Sequence, residues 1–266
     1  MNKFLKITII TLLAVAGLTF CVRAAMRIVD NAGVIAFNLD KLSGVTNADE
    51  AVVTNNLGEM TFNAIEAATA AKVTVRSADD ANRDVIVRVS ENMAGKVEVK
   101  VRNGTLKIEL KSGCYSFKTL NDITFEVSVP HCDGLSSLEA VAASSIDVTS
   151  PLTADKIKME ASGAAKITAP LDCQECEAEA TGASKIVLTG RCGKLEAEAS
   201  GASKIDAAEC ESVVCKVEVS GASKAAVWCT GRLAAKASGA SKVEYRGDCS
   251  VEQSSVSGAS SIKRIR

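Results

Sequence analysis

Seven cysteines crowd the second half of the chain, between Cys173 and Cys249. Two of them, in Cys173-Gln174-Glu175-Cys176, have the spacing that lets thiolates share a zinc ion or exchange a disulfide. Upstream, the single histidine, His131, stands beside Cys132, a neighbour relation that can serve a thiolate nucleophile. Neither motif is complete. No second paired-cysteine motif accompanies the first, and no third group is in view to orient the histidine. We therefore expect no catalytic residues, no metal and no cofactor. A different kind of chemistry is offered by charge at a fixed offset. Lys166, Lys185, Lys204, Lys224 and Lys242 each follow a glycine by three residues, and Glu160, Glu179, Glu198 and Glu218 each precede one by three. A column of ammonium groups is able to grip an acidic glycan or a lipopolysaccharide phosphate by point charges. The alternative reading is that the lysines solvate a rod whose acidic column offsets them.

Those offsets step back to the element that must create the columns. The phrase Ser/Thr-Gly-Ala-Ser/Ala-Lys recurs five times, with glycines at Gly163, Gly182, Gly201, Gly221 and Gly239, and Gly258 closes the series in Ser257-Gly258-Ala259-Ser260-Ser261. The intervals are 19, 19, 20, 18 and 19 residues, too short for a repeat carrying two helices. A solenoid follows, in which each coil buries its apolar face only by stacking on its neighbours. In the coil around Gly201, alternation sends Leu195, Ala197 and Ala199 to one side and Glu196, Glu198 and Ser200 to the other. Glycine allows the backbone to turn the corner. Lys204 then faces solvent before Ile205 and Ala207 return to the core. Leu138 to Ile146 reads as a degenerate first coil, with Ala142 in the glycine's place. Small inward residues predict a narrow, filled interior, and seven coils predict a rod of roughly 34 Å with unpaired strand edges at both ends. Lys263, Arg264 and Arg266 are suited to keeping the last edge soluble.

Position in the coil also reinterprets the cysteines. Cys173, Cys192, Cys210, Cys229 and Cys249 follow their glycines by 10, 10, 9, 8 and 10 residues and form an approximate ladder along one side. Cys176 and Cys215 fall in the inward column that Ile157, Leu195 and Leu233 occupy elsewhere. There a cysteine acts as a small buried hydrophobe. Stacked residues about 4.8 Å apart also meet disulfide distances, so packing, disulfide and metal remain the three alternatives.

Before the repeats, period-two runs at 72–76, 84–89 and 96–101 read as strands, and Arg102-Asn103-Gly104-Thr105 as a tight hairpin into 106–110. At the start, Lys3 and Lys6 precede a charge-free run from Ile7 to Val22, and Val22-Arg23-Ala24 supplies small residues for cleavage after Ala24. An uncleaved anchor, or acylation at Cys21, are the alternatives; Phe20 is larger than an acylation signal wants. The resulting division is a signal peptide at 1–24, an irregular lead-in at 25–60, and a β domain at 61–266, with 61–134 irregular and 135–266 regular. With 31 basic against 32 acidic residues and only 3 % aromatics, nucleic-acid binding is not expected.

The run into Val127-Ser128-Val129-Pro130, the serial Ser-Gly-Ala-Ser-Lys coils, Lys242 to Gly247 and the closing Ser257 to Lys263 resemble the bacterial "putative autotransporter adhesin, head GIN domain" family, from about Phe62 to Ile265. The resemblance implies an all-β fold, a right-handed parallel β-helix, in an exported protein of the Gram-negative envelope with an adhesin-like role. It supplies no catalytic residues. The expected function is a non-enzymatic binding scaffold in the periplasm, outer membrane or cell surface, its partner a surface glycan or envelope component. The alternatives are a polysaccharide lyase or hydrolase, which would need clustered carboxylates in a cleft with rings to hold sugar, and a purely structural envelope component.

Overall fold

The computed structural model describes residues 27–29, 35–37, 50–56, 61–90, 96–111 and 125–266. The signal-peptide segment, Cys21 and most of the lead-in lie outside the described residues. What is described is a parallel β-solenoid of about seven turns of about 19 residues, with no α-helix among the described residues. Among the described residues nineteen strands join one continuous sheet. The first are β1 (Arg27–Val29), β2 (Ile35–Phe37) and β3 (Glu50–Asn56). Then come β4 (Ala64–Ala67), β5 (Ala71–Val75), β6 (Asp84–Ser90), β7 (Val97–Arg102), β8 (Thr105–Leu110) and β9 (Phe125–Val129). The stack rises through β10 (Ser137–Ala140), β11 (Ser145–Val148) and β12 (Lys156–Ala161). It continues through the long strands β13 (Lys166–Ala180), β14 (Lys185–Ala199), β15 (Lys204–Val219) and β16 (Lys224–Ala237). It ends in β17 (Lys242–Arg246), β18 (Ser250–Val256) and β19 (Ser261–Arg264).

Each full coil is one strand of 14 to 16 residues closed by a single tight turn at the repeated phrase. The turn is built twice over. Gly182, Gly201 and Gly221 adopt φ of +75°, +78° and +74°, which an L side chain resists. A Cβ at Gly201 would also lie only 2.7 Å from the Gly182 carbonyl oxygen directly beneath it. That close approach lets the next amide donate downward, Ala202 N to Gly182 O at 2.7 Å, and the same bond repeats at Ala183, Ala222, Ala240 and Ala259.

The serine two residues after the glycine has its own task. Ser184, Ser203, Ser223, Ser241 and Ser260 donate their hydroxyls to carbonyls of the coil below, as in Ser203 Oγ to Ala180 O at 2.8 Å. Four of these serines, Ser184 to Ser241, are almost fully buried. A buried hydroxyl is tolerated only when bonded, so the serine belongs to the corner's architecture, not to its surface.

Inside, columns stack as their spacing predicts: Leu195, Ala197 and Ala199 are buried beside Cys176, Ala178 and Ala180 below and Cys215, Val217 and Val219 above. The 20-residue interval is absorbed by a register shift between Val187 and Thr189 of β14 against β15, an extra residue taken up as a bulge. The expected hairpin is present: β7 and β8 run antiparallel, with Asn103 at φ +51° and Gly104 at +76°.

The structure departs from expectation at the lower end. Strand β10 stacks in parallel on β4 and β11 on β5, while β4 and β5 stack in turn on β8 and β9. In space the 64–75 rung therefore lies between the 105–129 rung and the 137–148 rung, out of chain order. Among the described residues the lower rung is extended by antiparallel strands. Strand β8 pairs antiparallel with β7, β7 with β2 and β2 with β1, while β9 pairs antiparallel with β6 and β6 with β3. At the upper end, Arg264 falls in the column below which Tyr245 and Val227 lie, so a charged residue stands over the core's last rung and blunts edge pairing.

Candidate functional site

The five lysines do form a column. Lys166, Lys185, Lys204, Lys224 and Lys242 are successive register partners on the face after the glycine corner, and Ser145 and Lys72 continue it downward. Their acidic partners are not the predicted ones. No lysine of this column pairs with Glu160, Glu179, Glu198 or Glu218. The partners come from the adjacent outward column of the same strands: Asp147 lies 3.6 Å from Lys166, Asp206 lies 2.7 Å from Lys204, and Glu244 lies 2.7 Å from Lys224 while also pairing with Lys242. Burial would raise the Asp206 carboxyl, yet Lys204 holds it below its ordinary value; Lys224 and Lys242 do the same for Glu244. Among the described residues Lys185 makes no ion pair, because Val187 stands in the adjacent column opposite Asp206. Three carboxylates thus serve five ammonium groups.

Before the corner, the glutamates form a longer ladder than spacing alone reveals. Glu66, Glu139, Glu160, Glu179, Glu198 and Glu218 stack in unbroken register, closed by Lys107 below and Lys236 above. The neighbouring column interleaves lysines that relieve part of the repulsion. Lys158 lies 2.8 Å from Glu160, and Lys216 reaches Glu196 at 3.3 Å and Glu198 and Glu218 at 4.0 Å. Among the described residues Glu139 has no ion-pair partner, and its carboxyl is pushed up by burial and by Glu66 and Glu160 on either side, with Lys107 and Lys158 offsetting only part of it. Above it an open groove of about 350 Å³ runs along Glu179, Glu198 and Glu218 to Ser200, Ser220 and Lys236. No ring lines it.

The thiols occupy the inner side of the coil's remaining bend. The eight described cysteines are all free, and all of them lie in or against the core; Cys114 is outside the described residues. Cys173 and Cys176 belong to different columns, opposite Cys192 and Leu195 respectively. The ladder has one correction: Cys192 faces Ser212, not Cys210, because the bulge shifts Cys210 opposite Gly190. Ser212 is fully buried with its hydroxyl 3.2 Å from the Cys192 sulfur. Cys192 touches the thiols of Cys173 and Cys210, which pull its own ionisation down while theirs are pushed up. Burial pushes the Cys176 thiol up. Among the described residues no three metal-ligating side chains are arranged around a common point.

His131 and Cys132 sit at the bend between β9 and β10, beside a cavity of about 210 Å³ that Leu135 and Leu152 help to line. Burial pushes the Cys132 thiol up, the opposite of an activated nucleophile. Trp228 is half-buried under the Arg246 guanidinium, 4.3 Å from the ring centroid, and Tyr245 packs against the core, so neither ring forms a sugar platform.

Residues 61–249 match the family described as putative auto-transporter adhesin, head GIN domain. Among solved structures, a putative adhesin from Bacteroides fragilis superimposes with a TM-score of 0.71 at 19 % identity, covering 80 % of this chain and 97 % of that one. A putative adhesin from Parabacteroides merdae gives a TM-score of 0.63 at 17 % identity, covering 83 % and 98 %. A putative lipid binding protein from Parabacteroides distasonis gives 0.61 at 16 % identity, covering 83 % and 98 %. No curated protein matches the chain.

Proposed function

The chain belongs to this head GIN domain family, and from that premise we propose that it is an exported, non-enzymatic rod of the Gram-negative cell envelope that binds anionic glycan through its lysine column. The observation that carries the reading is the under-neutralised ladder itself: five in-register ammonium groups share Asp147, Asp206 and Glu244. Each lysine is exposed or half-exposed, so one site is weak. Repetition at a rise of about 4.8 Å presents many such sites to one polymer, and effective concentration multiplies them.

The polysaccharide-enzyme alternative would need a cleft in which a sugar ring is held and two carboxylates take different protonation states. The groove along the glutamate ladder is open and lined without rings, which supports a binding rod over an enzyme.

The test is binding of the purified chain to immobilised acidic and neutral polysaccharides over a salt series. The expected result is retention on acidic polymer alone, weakening with salt and lost when Lys166, Lys185, Lys204, Lys224 and Lys242 are together changed to Gln. Equal retention by the five-lysine variant sinks the reading. Protease shaving of intact cells separates surface display from a purely structural place inside the envelope.

A further inference from the structure

The interior thiols on β13 to β15 are packed closely but not equivalently. Cys173 and Cys192 are register partners on adjacent parallel strands, and both point inward, with exposures of 7 % and 4 %. Register partners in such a stack have Cα atoms about 4.8 Å apart, inside the window of about 4.4–6.8 Å that a disulfide spans. Cys210 also interacts with Cys192 but is displaced by two residues along the strand, since Cys192 is opposite Ser212 and Cys210 is opposite Gly190. Diagonal neighbours have Cα atoms about 7–8 Å apart, beyond what a disulfide bridges without backbone movement. The buried Ser212 hydroxyl, 3.2 Å from the Cys192 sulfur and 3.4 Å from the Cys210 carbonyl, holds that arrangement in place. Cys176 stands opposite Leu195 and has no cysteine as register partner on β14.

We propose that Cys173 and Cys192 form a disulfide that bolts the coil of β13 to the coil of β14. Two S–H bonds break and one S–S bond forms. The two protons and two electrons pass to the disulfide of a thiol–disulfide oxidoreductase, which becomes a dithiol. Such an acceptor works in an oxidising compartment, so the inference rests on the export reading above. With so little of either side chain exposed, the bond closes while the two coils are assembling, and the finished coil shields it from reductant. It closes a loop within one winding, beside Gly190, which turns the backbone at φ +90° and, being glycine, offers no side chain opposite Leu171. The cross-link therefore stiffens a bend where the core column is interrupted.

The test refolds the reduced, full chain in a glutathione redox buffer, alkylates the remaining thiols and maps the peptides by mass. The expected product is a peptide pair joined through Cys173 and Cys192, lighter by two hydrogens than its reduced parts. Unfolding and refolding the chain in dithiothreitol should give a wild-type melting temperature roughly 5–10 °C below that of the oxidised chain and leave that of Cys192→Ala unmoved. Cys210→Ser should keep both the cross-link and the reductant sensitivity. Full alkylation of Cys173 and Cys192 in every redox buffer, a cross-link from Cys192 to Cys210, or equal reductant sensitivity in Cys192→Ala overturns the proposal. A bond formed in glutathione together with reduced thiols in chain recovered from cells would overturn the export reading while sustaining the bond.

Discussion

Replacing Gly201 by alanine tests the principle on which the stack is built, that each corner lies directly on the one beneath. The new Cβ would sit 2.7 Å from the Gly182 oxygen and 3.2 Å from the Gly182 nitrogen, in a residue whose φ is +78°. The left-handed backbone alone costs an L residue about 1–2 kcal/mol. Relieving the overlap requires the Gly182 carbonyl to move, and that carbonyl accepts the Ala202 amide at 2.7 Å, a bond contributing about 0.5–1.5 kcal/mol. The stiffer unfolded chain gives back about 0.4–1 kcal/mol. The net expectation is a loss of about 1–3 kcal/mol, or roughly 2–12 °C in melting temperature for a chain this size. Urea titration followed by circular dichroism measures it, and hydrogen exchange should show protection falling most in β14 and β15. Ala142→Gly is the matched control. That corner already holds an alanine at φ +64°, so the change should be neutral or stabilising by up to about 1 kcal/mol. A Gly201→Ala chain within about 0.5 kcal/mol of wild type would refute the stacking argument.

The corner serine gives a paired prediction. Ser203→Ala should lose about 1 kcal/mol, since only the hydroxyl bond to Ala180 is removed and that carbonyl keeps the Ser200 amide. Ala165→Ser, at the coil where alanine stands in the serine's place with its side chain buried, should gain a comparable amount by reaching the Ala140 carbonyl. Thermal melts of both variants check the signs. For pH, the Glu139 carboxyl is raised in the folded chain by burial and its glutamate neighbours, so the folded state favours the proton. Stability from this group is present at acid pH and lost as pH rises through its folded pKa. Glu139→Gln should then be more stable than wild type at pH 7, by about a few tenths of a kcal/mol given its exposure, and the advantage should vanish below about pH 4. Stability measured against pH for the two chains decides it.

The upper coils are legible from sequence because every constraint on them is local and repeated. The glycine corner, the alternation from Leu195 to Ala199 and the lysine three residues on all recur at one period. The lower coils are not legible, for two physical reasons. The rung of β4 and β5 is separated in sequence from its upper neighbour by the strands that form the rung below, so no fixed interval connects them. Its corner also carries Thr69 at φ +53° and Ala70 at +64° where glycine stands elsewhere. Seen against the structure, Thr69-Ala70-Ala71-Lys72 is the repeated phrase with its glycine and serine replaced, which sets Glu66 and Lys72 in their columns. The cysteine ladder failed at Cys210 for a third reason. A one-residue bulge leaves the glycine count nearly periodic while moving every side chain after it to a new partner.

In-register stacking has an electrostatic consequence that points back to use. Identical charges about 4.8 Å apart repel by roughly 1 kcal/mol even in water, so a ladder needs compensation from the next column. The glutamate ladder receives lysines from Lys158, Lys216 and Lys236. The lysine column has three carboxylates, and Glu244 alone serves two of its members. Glu244→Gln should therefore leave Lys224 and Lys242 both unpaired. If polyanion is the ligand, that change should tighten binding several-fold at low salt, because the polymer's charges replace the missing carboxylate, and the gain should disappear as salt screens the column. Binding isotherms at two ionic strengths read this directly. Weaker binding by Glu244→Gln at low salt, in a chain that still melts within a few degrees of wild type, would mean that the carboxylate, not the ammonium groups, makes the contact.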